Sequence, residues 1–66
     1  MSRTAGPRIR AARERRGWRV ERLAAAAEVS ERTIRNVETG RVSPKLTTVA
    51  KIAAALGLTV GGLCRG

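Results

Sequence analysis

The chain lacks the residues from which most enzyme sites are built. Its 66 residues contain no histidine, no aspartate and no tyrosine, and Cys64 is the only cysteine. Without those groups there is almost no general acid–base pair to assemble, and one cysteine near the end of the chain has no base beside it. Catalysis is not expected, and neither is a metal site, a cofactor or a small-molecule ligand. A single cysteine closes no disulfide within the chain, which suits a reducing compartment. No apolar run approaches the roughly 20 residues of a membrane span, and "MSRTAGPRIR" has no apolar stretch of the signal-peptide kind. A cytoplasmic protein that does not engage a membrane is the expectation.

Acidic residues are also scarce. Five glutamates face fourteen basic residues, for a net charge of +9, and twelve of the fourteen are arginine. Abundant alanine and glycine point to GC-rich coding, which raises arginine content, but coding bias does not account for so large an imbalance. A small domain this basic implies a polyanionic partner, and the planar guanidinium fork fits phosphate and the guanine edge. At 66 residues the chain is one domain with a small core.

Glycine and proline divide the chain into helical segments, and no strand pattern stands out. Gly6-Pro7 opens a first helix carrying Ile9 and Ala12, closed by Arg16-Gly17. A second runs from about Arg19 to Ala27, with Val20, Leu23, Ala24 and Ala27 as its apolar stripe and Trp18 as a lid just before it. Ser30 caps a third helix, which turns Ile34 and Val37 inward and stops at Gly40. Ser43-Pro44 then starts a fourth, with Leu46, Val49, Ile52, Ala53 and Leu56 as its buried stripe and Gly57 as its stop. Thr59 caps a short fifth ending at Leu63, which Gly61-Gly62 weakens. The expected fold is all-α, a compact bundle of four to five helices.

Only Glu28-Val29-Ser30 separates the second and third helices. So short a connection joins helices at a steep angle, as in a helix-turn-helix over about residues 20–39. Ala24 permits close approach, Val29 fills the corner, and Glu31, Arg32, Arg35 and Asn36 are left facing away from the core.

The stretches "IRAARERRGW", "LAAAAEVSERTI", "VETG" and "SPKLTTVAKIAAALGL" together resemble the Cro and phage-repressor type of helix-turn-helix domain, the XRE family. The resemblance covers about residues 7–63, leaving 1–6 as a basic arm and 64–66 as a tail. It implies a lambda-repressor-like fold whose third helix enters the DNA major groove. By position it implies base contacts from Glu31, Arg32, Thr33, Arg35 and Asn36, and phosphate contacts from Arg41 and, in place of the usual glutamine, Arg19. Arg10, with Arg3 and Arg8, lies either beside the DNA backbone or on plain charged surface. Glu31 either accepts from cytosine or simply favours the positive end of its helix. Arg13 and Glu38 match a pair that ties the first helix to the third. Val20 stands where relatives carry the phosphate-gripping glutamine, and Glu28 where they often carry glycine.

These features imply a sequence-specific regulator of transcription, a repressor more often than an activator in this family, bound as a homodimer to a palindromic operator. Leu58, Val60 and Leu63 form the dimer surface or else close the monomer core. The alternatives are an antitoxin or protein-docking adaptor of the same fold, or the DNA-binding fragment of a longer regulator.

Overall fold

A computed structural model describes the backbone of residues 2–64 and the side chains of 5–62. Its elements are α1 (Ser2–Arg15), α2 (Val20–Ala27), α3 (Glu31–Glu38), α4 (Leu46–Leu56) and α5 (Val60–Cys64), with no strand among the described residues. None of these helices is long and apolar enough to cross a membrane.

The first four helices end in the same way. A residue with φ between 59° and 74° reverses the chain. The amide after it reaches back five residues to a free carbonyl. Trp18 donates to Arg13 O at 3.1 Å, Val29 to Ala24 O at 3.0 Å, Arg41 to Asn36 O at 3.0 Å and Leu58 to Ala53 O at 2.8 Å. This closure requires a left-handed residue, and glycine supplies it without steric cost. Gly17, Gly40 and Gly57 fill that position after α1, α3 and α4. After α2, inside the helix-turn-helix, it is Glu28, at φ 59° and ψ 43°.

The core is built from one stripe per helix. Ala5 and Ile9 of α1, Leu23, Ala24 and Ala27 of α2, Ile34 and Val37 of α3, and Val49, Ile52, Ala53 and Leu56 of α4 are all buried. Trp18, Val20, Val29 and Val60 pack around this cluster half-buried. α2 rests on α3 and α4, while α1 runs across α3, α4 and α5. Gly6 is where α1 meets the end of α3: a Cβ there would lie 2.5 Å from Val37 O and 2.9 Å from Glu38 O. Only a residue without a side chain allows that approach.

Three expectations need correction. α1 starts at Ser2 rather than at Gly6-Pro7, so Pro7 lies inside the helix and the segment read as an arm is helical from residue 2. Proline is tolerated there because it disturbs only a carbonyl four residues back, at the very start of the helix. α4 starts at Leu46 rather than at Ser43-Pro44. Pro44 packs half-buried outside the helix, and Lys45, extended at φ −66° and ψ 154°, is the N-cap. Leu46, expected in the buried stripe, is the first residue of α4 and is 69% exposed.

Candidate nucleic-acid interface

α3 is eight residues long, too short to persist alone in water, so its neighbours must hold it. At its start the Ser30 hydroxyl accepts from the Thr33 amide at 3.0 Å and pairs with the Thr33 hydroxyl at 2.8 Å. Behind it, Ile34 and Val37 are fully buried. At its end Thr39 Oγ1 donates to Arg35 O at 2.8 Å. Glu38, in the last turn, is clamped by α1.

That clamp is a two-pronged ion pair. Arg13 Nε donates to Glu38 Oε2 at 2.8 Å and Arg13 Nη2 to Glu38 Oε1 at 3.2 Å. Arg13 Nη1 donates to Trp18 O at 2.7 Å, so one guanidinium joins α1, the α1–α2 loop and α3. The two side chains are only 11% and 6% exposed. The hydrogen bond from Arg13 to Glu38, ahead of the opposing effect of burial, holds the Arg13 guanidinium's pKa above its usual value.

Held this way, α3 presents one polar face. Glu31, Arg32 and Arg35 are exposed and Asn36 is half-exposed. Arg35 donates from Nη2 to Glu31 Oε1 at 3.3 Å, one turn away, whereas Arg32 makes no ion pair among the described residues. Thr33, expected at the same face, is half-buried with its hydroxyl engaged by Ser30. It serves the start of the helix first.

The other expected contacts lie on different elements. Arg19 is the exposed N-cap residue of α2 and makes no side-chain cap bond. Arg41 is exposed, three residues past the end of α3. Arg10 lies on α1 and is paired with Glu14 at 3.2 Å. Of the residues read as a dimer surface, Leu58 is 41% exposed and Val60 packs half-buried against the core. The Leu63 side chain lies outside the described residues.

Two features escaped the sequence. Arg16 reaches 40 positions along the chain to donate to Leu56 O at 2.7 Å, capping α4. The Trp18 ring has two guanidinium neighbours, Arg16 at 5.2 Å and Arg22 at 5.1 Å from its centroid, within cation–π range. Arginine abundance hides both, since nothing local separates these two from the rest. Among the described residues no group of histidine, cysteine or carboxylate side chains is arranged to hold a metal.

Comparison with known proteins agrees with this architecture. A family model described as helix-turn-helix matches residues 9–63. The chain is 37% identical over 59 residues to the HTH-type transcriptional regulator DdrOP3 of Deinococcus deserti, a match covering 89% of this chain and 46% of that protein. It is 44% identical over 66 residues to an uncharacterized HTH-type transcriptional regulator of Mycobacterium tuberculosis, covering 98% of this chain and 26% of that protein. A regulator of the same description from Mycobacterium bovis matches to the same extent. The chain therefore spans less than half the length of these relatives. From the family match and the five-helix architecture together, the chain belongs to the helix-turn-helix family of the Cro and phage-repressor type.

Proposed function

We propose that this chain binds double-stranded DNA sequence-specifically and regulates transcription, with α3 lying in the major groove. One observation carries the reading. α3 is fixed from behind by buried Ile34 and Val37 and by the Arg13–Glu38 clamp, while its outer face offers Arg32, Arg35, Glu31 and Asn36. Those side chains carry the donors and acceptors that distinguish base edges in the major groove. Arg41 and Arg19, both exposed, supply charge for the phosphate backbone. The net charge of +9 adds a long-range attraction to the duplex. The relatives' description as transcriptional regulators supports the same role.

In this reading the protein acts as a homodimer and a repressor. Two α3 helices then enter successive major grooves about 34 Å apart on a palindromic site. Leu58, exposed between α4 and α5, is one of three exposed large apolar side chains among the described residues and the one read here as serving self-association.

The test is selection of bound fragments from a random duplex pool, followed by titration of the recovered sequence against a scrambled one. A motif with two inverted half-sites supports the reading. Equal affinity for recovered and scrambled duplexes rejects sequence specificity, and a single half-site with monomeric sedimentation on DNA rejects the dimer.

A further inference from the structure

The two arginines on the outer face of α3 are not equivalent. Arg32 makes no ion pair among the described residues, whereas Arg35 is held by Glu31, Nη2 to Oε1 at 3.3 Å. Both partners are well exposed, 57% for Arg35 and 46% for Glu31. An exposed pair one helical turn apart adds little to stability. Its consequence lies in what the face can bind.

A carboxylate facing a polyanion weakens binding unless the duplex offers it a donor. Among the described residues, Glu31 Oε2 and the remaining Arg35 N–H groups make no further ion pair once Oε1 has accepted from Arg35. The pair therefore presents an acceptor beside a fork of donors. In the major groove, a C·G base pair presents the complement on one edge: the cytosine N4 amino group as donor, and guanine O6 and N7 as acceptors. A phosphate is the opposite case, acceptors only, and would be repelled by Glu31.

We infer that Glu31 and Arg35 act as one reading unit for a C·G base pair, with Glu31 positioning Arg35 and withholding it from phosphates. This rests on the DNA-binding reading above. It makes Glu31 a specificity-determining residue that trades affinity for all DNA against discrimination at one position of each half-site. Arg32, with no ion-pair partner among the described residues, is not restrained in this way.

The experiment uses the recovered duplex and a set of duplexes in which each position is replaced in turn, titrated at several salt concentrations. The proteins are the parent, Glu31→Gln, Arg35→Ala and the double variant. The parent should require C·G at one position per half-site. Glu31→Gln should reduce discrimination there by about tenfold, mainly by tightening binding to the replaced duplexes. Its salt dependence should steepen by about one counterion per subunit as Arg35 turns to a phosphate. The double variant should lose that extra slope. Melting of Glu31→Gln should overlap the parent, so that altered binding is not misfolding. Unchanged discrimination in Glu31→Gln overturns the inference, as does a uniform gain on every duplex, which would leave Glu31 a source of repulsion only. A parent that prefers no duplex refutes the sequence-specific reading on which the inference rests, an outcome distinct from either of these.

Discussion

Arg13 and Glu38, 25 positions apart in the chain, meet side-on through two hydrogen bonds of 2.8 and 3.2 Å with almost no access to water. Removing one partner strands the other charge in a place where it cannot be solvated. The cost of that is about 3 kcal/mol or more, and a domain of this size has only roughly 5 kcal/mol of stability in total. Glu38→Ala should therefore lower the melting temperature steeply, leaving about 2 kcal/mol of stability or less. A melt overlapping the parent would sink the assignment. The pH dependence has a definite sign. Because the Arg13 pKa is raised in the folded state, the stability it contributes is complete below the ordinary guanidinium range and is lost only above it. The gap in melting temperature between parent and Glu38→Ala should thus be the same in neutral and in moderately alkaline buffer, as far as Arg13 is concerned.

Glu28 is the one described non-glycine residue with positive φ, and it occupies a position that glycine fills after α1, α3 and α4. The left-handed conformation costs a residue with a Cβ about 1 kcal/mol, part of which glycine gives back through the greater freedom of its unfolded chain. Glu28→Gly should raise stability by up to about 1 kcal/mol, a gain of a few degrees in melting temperature. Glu28→Ala keeps the strain and should not. A glycine variant that melts below the alanine variant would show that the turn is not strained.

Gly6 permits the approach of α1 to the last carbonyls of α3. An alanine methyl would sit 2.5 Å from Val37 O and 2.9 Å from Glu38 O, both backbone atoms that cannot swing aside. Gly6→Ala should cost roughly 2 kcal/mol. A methyl group added at Gly61 would meet nothing within 4 Å, so Gly61→Ala serves as the control. Similar melts for the two variants would contradict the tight contact.

Arg32 and Arg41 carry different duties in the proposed complex. Arg32, in the first turn of α3, can bridge guanine O6 and N7, a contact that discriminates by about 1–3 kcal/mol. Arg41, past the helix end, lies where backbone contacts give affinity without sequence information. Arg32→Ala should relax the preference at one position of each half-site. Arg41→Ala should weaken all duplexes alike and flatten the salt dependence by roughly one counterion per subunit. Titrations of recovered and scrambled duplexes decide it, and equal losses on both for Arg32→Ala would make that residue a phosphate clamp.

Local signals carried most of the fold. Gly17, Gly40 and Gly57 marked three helix ends because the closing turn needs their backbone freedom, and Ser30 marked a start because its hydroxyl meets the Thr33 amide. The three- and four-residue stripes located the core for the same kind of reason. Pro7 and Pro44 misled, since proline shows where a helix is constrained but not whether neighbouring turns extend past it. Leu46 has the spacing of a core residue, yet spacing cannot say where the opposing helices run out. The exposed face of α3 was legible as the remainder after Ile34 and Val37 turned inward. The Glu31–Arg35 pairing has the four-residue spacing that a helix brings together, but the reach of Arg16 to Leu56 O depends on a side-chain path that no pattern of residue types encodes.

Arg13 and Arg16, three positions apart on the chain, grip opposite parts of the domain: one holds the end of α3, the other the end of α4. Contacts spanning 25 and 40 positions make these helices depend on one another, so α3 should open only when the whole domain does. Its amides should then exchange with solvent at the global unfolding rate rather than by fraying. A recognition helix already ordered in the free protein has no folding left to do when it docks. Association with a duplex should accordingly show the modest heat-capacity change of two preformed surfaces, without the large negative value that accompanies coupled folding.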